Sequence, residues 1–307
     1  PISLQNDRIG DNWRSRYESL HLHDPKNACT LPFMAMPETF PKFVPKNQVG
    51  DFRSYASLLS LPVRLNTAVE PGGASFDEAS KLWSLKVKTG QETSVIIARH
   101  FVIATGLSGF PRFLDRKLAM ISREVVVPAI KAHDKELLEG LDAAGMKLDW
   151  GEDESGLLMK FLRRGSGYYM SIGASELIIA GKIKVAQLGQ SEIELTENSV
   201  MVGGESLPAD LIIAATGYTN MSSWTHYLCG ATIGEKVGHI GGYGSETRDD
   251  PGLYVGEMRN MWGKTEQEGL WYFCGNFTQC RFYSLQTAIL IQIELAGGWD
   301  AARGVVG

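Results

Sequence analysis

The segments FVIATG (residues 101–106) and LIIAATG (residues 211–217) are near copies of one pattern, an apolar run that ends in Thr-Gly. Such a run predicts a buried strand, and the glycine after it lets the backbone turn sharply where the strand ends. In open α/β sheets, ligands bind beyond the carboxyl ends of the strands. A single copy would indicate an ordinary strand and turn, but two copies favour a ligand-binding role for both turns.

The rest of the sequence has a mixed pattern of helices and strands. We predict further strands at residues 61–69, 81–88, 94–97, 182–185, 193–195, 199–202 and 271–273. Apolar residues at helical spacing predict helices at residues 48–60, at residues 116–145 with Gly145 as C-cap, and from about residue 283 to 296. These elements predict the α/β class.

Composition narrows the function classes. The chain has 307 residues, of which 44% are hydrophobic and 21% charged, so a globular protein of about two domains is expected. Its net charge of -5 gives no indication of nucleic acid or an anionic membrane as a partner. No apolar run is long enough to span a bilayer.

Four cysteines, Cys29, Cys229, Cys274 and Cys280, are scattered without a C-x-x-C pair. A chain of this size needs no disulfides, so we predict reduced thiols in a cytoplasmic protein. His21 and His23 would point the same way in an extended segment, but a metal site there lacks a third ligand nearby.

Five segments carry a more specific signal. In chain order they are DRIGDNWR (residues 7–14), MPETFP (36–41), TGLSGFP (105–111), ATGY (215–218) and GNFTQCRFYS (275–284). Together they resemble the flavin-containing monooxygenase family, which includes Baeyer–Villiger and indole-pyruvate-type enzymes. The resemblance covers nearly the whole chain.

The resemblance implies an FAD-type domain with an NADPH-type domain inserted into it. Residues 1–113 and 211–307 would form the discontinuous FAD-type domain, lacking its first βαβ unit, and residues 114–210 the incomplete NADPH-type insert. The two Ala-Thr-Gly strands would be the crossings between the domains and would lie close together. The fold would thus be the remnant of a two-dinucleotide-binding-domain flavoprotein.

The implied activity is reduction of FAD by NADPH, followed by insertion of one oxygen atom into a small organic substrate. The resemblance assigns cofactor-binding roles to Trp13, Arg14, His21, Thr105, Gly106, Thr216, Gly217, Asn276 and Gln279. It also allows Arg163-Arg164 to receive the 2'-phosphate of NADPH, although a surface role is equally expected. A homo-oligomer is compatible with the sequence, and catalytic residues are not identified.

Two glycine-rich loops of the family are missing, the FAD loop near the start of the chain and the NADPH loop expected soon after Pro111. The sequence contains no G-x-G-x-x-G loop, the motif whose glycines and helix N-terminus hold a dinucleotide pyrophosphate. If the chain is complete as printed, we expect it to purify without flavin and not to oxidise NADPH. Alternatively, it is a cofactor-free descendant that binds or isomerises a small molecule, or the printed sequence covers only part of a longer chain.

Overall fold

The structure is a computed structural model. It describes residues 2–50, 52–106, 120–151, 153–157, 159–160, 169, 171–187, 192–216, 219, 221–241 and 260–298. The chain divides into two compact units: Pro1–Pro111 with Thr219–Gly307 (unit 1), and Arg112–Tyr218 (unit 2). The assignment of residues 1–113 and 211–307 to FAD and of 114–210 to NADPH remains a prediction.

Unit 1 contains a three-stranded antiparallel sheet. Its strands, in the order β3-β4-β5, are Thr67–Asp77, Leu82–Thr89 and Glu92–Ala98. The predicted strands at 81–88 and 94–97 are therefore confirmed, with the turn between them at Gly90. Trp83 is fully buried on this sheet and packs against Phe76 and Phe101.

Two parallel strand pairs complete the sheets of unit 1. The first joins β1 (Ile2–Ser3) to β2 (Val63–Arg64). The second joins β6 (Phe101–Ile103) to β10 (Leu270–Tyr272) and is the core of the unit, because all three residues of β10 are buried. The strands predicted at 101–104 and 271–273 are thus confirmed.

Unit 1 also contains five helices among its described residues. In chain order they are α1 (Asp11–Arg14), α2 (Lys46–Val49), α3 (Arg53–Leu58), α7 (Ser222–Val237) and α8 (Phe277–Leu295). The helix predicted at 48–60 is two short helices, α2 and α3, and α1 lies against the end of α2. A Cβ atom on Gly10 would lie 1.8 Å from the carbonyl oxygen of Gly50, so only glycine allows this approach.

Unit 2 begins, among its described residues, with the helical segment predicted at 116–145. A π-helical turn at Ser122–Val126 leads into α4 (Val127–His133), which is followed by α5 (Lys135–Ala143). The proline at position 128 has no N–H to donate, which favours the irregular turn before it. Further along lie α6 (Ala174–Ile179) and the antiparallel strands β7 (Ile193–Leu195), β8 (Ser199–Val202) and β9 (Glu205–Pro208).

Two strand predictions in unit 2 are wrong. Residues 211–214 form no strand, and Leu211, Ile212 and Ile213 are 78%, 50% and 81% exposed. Residues 182–185 also lie outside regular structure. An apolar run becomes a strand only where a neighbouring strand satisfies its N–H and C=O groups, and the described residues provide no such neighbour for either segment. The fold is mixed α/β, as predicted, but segment 211–214 is not a second copy of β6.

Candidate functional site

The site is organised by one edge of the parallel strand pair in unit 1. β6 and β10 run side by side in register, with Ile103 opposite Tyr272, and the Phe273 N–H continues the ladder to the Ile103 carbonyl at 3.0 Å. Because parallel strands end at the same edge, Thr105-Gly106 after β6 and Gly275-Asn276 after β10 leave the sheet on the same side. This is the edge at which the sequence motifs predict a ligand.

Helix α8 starts directly at this edge. Asn276 is its N-cap: the Gln279 N–H donates to Asn276 Oδ1 at 2.9 Å, and the Asn276 N–H donates to Gln279 Oε1 at 3.0 Å. This reciprocal capping box satisfies two backbone donors at the helix start. The first turn of α8 therefore has a fixed geometry and carries the positive end of the helix dipole.

An aromatic cluster joins the amino-terminal segment to α8. Trp13 stacks on Phe277 with ring centroids 5.7 Å apart, and Phe52 lies 5.9 Å from the same ring. The Arg16 guanidinium lies 4.9 Å from the Trp13 ring centroid. Thr278 Oγ1 donates to the Ala28 carbonyl at 2.7 Å, which adds a polar tie between the two segments.

Buried contacts hold the sheet edge from beneath. Tyr272 is fully buried, its hydroxyl is hydrogen-bonded to Thr225, and burial raises its pKa. Trp262 stacks on Tyr283 of α8 at 3.8 Å, and its indole N–H donates to the Cys274 carbonyl at 2.8 Å. The strand β10 and the start of α8 thus form one packed support.

Five of the nine predicted cofactor-binding residues lie at this edge of the sheet or beside the start of α8. Trp13, Asn276 and Gln279 lie in or beside the first turn of α8, while Thr105 and Gly106 follow β6 at the same sheet edge.

The remaining predicted residues have other placements. Arg14 Nη1 donates to the Ile9 carbonyl at 2.7 Å, and the exposed His21 has its Nδ1 2.9 Å from the Ser19 carbonyl. Thr216 is exposed and belongs to unit 2, whereas Gly217 lies outside the described residues, as do Arg163 and Arg164. The motif at residues 275–284 contains Phe277 and Thr278, but neither of them, nor Phe52, was among the predicted cofactor-binding residues.

The thiols and acids of the described chain provide no metal centre. Within the described ranges, no group of three or more His, Cys, Asp or Glu side chains could hold a metal ion. All four cysteines are free, and burial raises the pKa of Cys29 and Cys280 to about 11 and of Cys229 and Cys274 to about 12. These thiols are therefore protonated at neutral pH.

None of the described helices has the features of a membrane-spanning helix. In the part of the chain that the structure describes, no helix combines the length and apolar character needed to cross a bilayer.

The sequence is similar to plant indole-3-pyruvate monooxygenases. An indole-3-pyruvate monooxygenase of Oryza sativa subsp. japonica is 35% identical over 113 residues, which are 36% of this chain and 27% of that protein. A probable indole-3-pyruvate monooxygenase of Arabidopsis thaliana is 27% identical over 299 residues, covering 73% of this chain and 71% of that protein. Another from Arabidopsis thaliana is 38% identical, over 33% of this chain and 24% of its own length. No protein-family model matches the chain.

Similarity to solved structures concerns the fold. Bacillithiol disulfide reductase Bdr from Staphylococcus aureus aligns with a TM-score of 0.51 and 13% identity, over 94% of this chain and 90% of that one. A flavin-containing monooxygenase from Stenotrophomonas maltophilia aligns with a TM-score of 0.27 and 19% identity, over 33% of this chain and 32% of that one.

Proposed function

We propose that this chain, a sequence relative of the flavin-dependent monooxygenases, supplies the flavin-facing part of a monooxygenase that uses FAD and NADPH. The family prediction made from the motifs is confirmed by the similarity to indole-3-pyruvate monooxygenases. The chain spans about a quarter of the length of two of these relatives and 71% of the length of the other one. The activity of the whole protein is therefore part of the proposal.

One structural observation carries the proposal. Segments that the family resemblance assigns to the flavin, at opposite ends of the sequence, are brought together by the stacking of Trp13 on Phe277. Thr105-Gly106 and Asn276 leave the neighbouring parallel strands at the same edge. We infer that this edge and the Trp13 ring form one wall of an isoalloxazine site.

The residues present fit the ring end of FAD. Trp13 and Phe277 offer aromatic surface, and the first turn of α8 offers a helix N-terminus that favours negative charge on a neighbouring ligand. When bound, FAD would supply the redox chemistry and oxygen activation. The protein itself would orient the ring and keep water away from it.

The described residues do not fit the pyrophosphate end of FAD. Relatives of this type hold the two phosphate charges with a glycine-rich loop at a helix N-terminus, and the sequence contains no G-x-G-x-x-G motif. In the described ranges, α8 is the helix with a full capping box at its start, and that start lies at the ring side of the proposed site. We therefore propose that the 307 residues alone bind the flavin ring weakly and hold no stoichiometric FAD.

Indole-3-pyruvate is the first substrate to test, because all three of these relatives are named for it. The experiment measures NADPH oxidation and oxygen consumption together, using the longest natural polypeptide that contains this chain, with and without the keto acid. The proposal expects oxygen consumption that requires NADPH and added FAD. A polypeptide that retains FAD, yet consumes neither NADPH nor oxygen with any organic substrate supplied, would contradict it.

A further inference from the structure

A cleft of about 490 Å³ opens in unit 1 at the end of α8 farthest from the proposed flavin wall. It lies beside the amino end of β6 and the last turn of α8, whereas Thr105 and Asn276 mark the opposite ends of the same elements. The 19 residues of α8 separate the two places by about 28 Å along the helix axis. The cleft is therefore distinct from the proposed flavin site.

Titratable side chains from four segments of the chain line the cleft: Lys81, Arg99, His100, Lys264, Glu268 and Glu294. Lys264 Nζ lies 2.9 Å from Glu294 Oε1, and Lys81 Nζ lies 3.1 Å from Glu268 Oε2. Each lining lysine thus has an acidic partner.

Arg99 is the remaining charged side chain of the cleft lining. It is exposed at the cleft, and no ion pair involves its guanidinium among the residues that the structure describes. Outside the lining, Glu78 lies 3.0 Å from Lys81 and 3.9 Å from Lys236. The charges of Glu78 and Lys236 therefore offset each other. The cleft therefore carries one positive charge in excess, at a side chain with a planar fork of N–H donors.

The backbone around Arg99 is held rigidly. The indole N–H of Trp83 donates to the Glu268 carbonyl at 3.2 Å, and the Phe101 N–H donates to the Gly269 carbonyl at 2.7 Å. A Cβ atom on Gly269 would lie 2.4 Å from the Arg99 carbonyl oxygen, and its φ is +68°. Only glycine lets this loop approach the strand end so closely, and the approach fixes Glu268 beside Arg99.

His100 adds a donor of defined tautomer. The buried Trp271 donates its indole N–H to His100 Nδ1 at 3.1 Å, which leaves the proton of the neutral ring on Nε2. Glu294 Oε2 lies 3.6 Å from His100 Nδ1. Burial lowers the pKa of His100, so the ring is neutral at pH 7 and adds hydrogen-bonding capacity without adding charge.

We propose that this cleft binds a small organic anion through its carboxylate or phosphate group, with Arg99 as the main anchor. A guanidinium holds such oxyanions through two parallel N–H···O bonds, and Lys81 and Lys264 flank it with further donors. The half-exposed Leu295 provides an apolar contact for the rest of the ligand. Because the cleft is open to solvent, binding weakens as salt concentration rises.

Isothermal titration of the purified chain with sodium phosphate and with sodium acetate tests the proposal, with sodium chloride at equal ionic strength as reference. We expect saturable binding of at least one oxyanion, which identifies the preferred group. Arg99→Gln weakens it at least tenfold, and Arg99→Lys retains part of it. Glu294→Gln tightens binding severalfold, because it removes a negative charge and frees Lys264. Arg64→Gln, at an exposed arginine on β2, leaves it unchanged.

Three outcomes would overturn the proposal: no oxyanion binding beyond that of chloride, equal binding by Arg99→Gln and the unaltered chain, or weaker binding by Glu294→Gln. Circular dichroism of each variant checks folding. If Arg99→Gln does not fold, the opposite signs expected for Arg99→Lys and Glu294→Gln decide the question. Flavin is absent from all these titrations, so the result is independent of the proposed monooxygenase function.

Discussion

The indole ring of Trp13 stacks on the phenyl ring of Phe277, with centroids 5.7 Å apart and ring planes 23° apart. The pair connects the amino-terminal segment to the first turn of α8. Leu22, Cys29, Val44 and Val49 form the buried cluster against which both rings pack. This contact joins the amino-terminal segment of unit 1 to α8, which is far away in the sequence, and the two form one surface.

We expect the stacking of Trp13 and Phe277 to contribute measurably to stability. A double-mutant cycle with Trp13→Leu and Phe277→Leu should give a coupling energy of about 1 kcal/mol, because offset aromatic pairs contribute beyond their buried area. Urea unfolding followed by circular dichroism measures the four free energies. Pairing Trp13→Leu instead with Phe43→Leu, at a 43% exposed ring, provides the control and should give no coupling. Additive effects of the Trp13 and Phe277 substitutions would contradict the prediction.

The capping box of α8 makes a second prediction. Asn276→Ala should lower the free energy of unfolding by about 1 kcal/mol, because the Gln279 N–H loses its acceptor, whereas Asn276→Asp should restore most of it. Gln292→Ala, at an exposed position later in the same helix, serves as the matched control. An Asn276→Ala chain as stable as the control would show that the capping box contributes nothing.

Local patterns predicted much of unit 1. The turn at Gly90 between two strand-like runs identified β4 and β5, and the apolar runs before Thr105 and around Trp271 identified β6 and β10. The start of α8 was placed about six residues too late. The signal was present in the sequence, because Asn276 followed by Gln279 is the spacing of a capping box.

Long-range pairing could not be predicted from the same patterns. Residues 101–103 and 211–213 have nearly the same apolar sequence, but among the described residues only the first segment has a parallel partner, β10, far along the chain. The stacking of Trp13 on Phe277 was likewise hidden, since nothing local to either residue indicates the other. Local composition sets what a segment can form, and the available partner decides whether it does.

His100 should make stability depend on pH. Burial, and to a lesser extent Arg99, lowers its pKa below the ordinary 6.5, although Glu294 opposes the shift; Trp271 contacts the ring as an uncharged partner. As pH falls through 6.5, the unfolded chain binds a proton before the folded chain does, so the free energy of unfolding decreases until the folded pKa is passed. Above about pH 7.5 this contribution is constant.

His100→Asn tests this pH dependence, because the amide oxygen can still accept from Trp271 while the titration is removed. Urea unfolding between pH 8 and 5 should show a shallower loss of stability in this variant than in the unaltered chain. Equal slopes for His100→Asn and the unaltered chain would assign the pH dependence to other groups.

The thiols should be unreactive in the folded state. Burial raises the pKa of all four cysteines to about 11 or 12, so few thiolates exist at pH 8 to attack an alkylating reagent. Mass spectrometry after a brief iodoacetamide pulse should find little modification in buffer and four modified cysteines in guanidinium chloride. Rapid labelling of any single cysteine in the folded chain would contradict the burial described for it.

The most direct test compares riboflavin with FAD as ligands of the 307-residue chain. The isoalloxazine ring is common to both, and only FAD carries the pyrophosphate. Equilibrium dialysis read by flavin absorption should show weak binding of both, with dissociation constants within about threefold of each other. Trp13→Ala should weaken both alike, Phe43→Ala should weaken neither, and gel filtration should leave the protein without stoichiometric FAD.

Absence of riboflavin and FAD binding, or equal binding by Trp13→Ala and Phe43→Ala, would contradict the placement of a flavin ring at the Trp13 wall. FAD that remains stoichiometric through gel filtration while riboflavin is lost would contradict the inference that the chain lacks a pyrophosphate site.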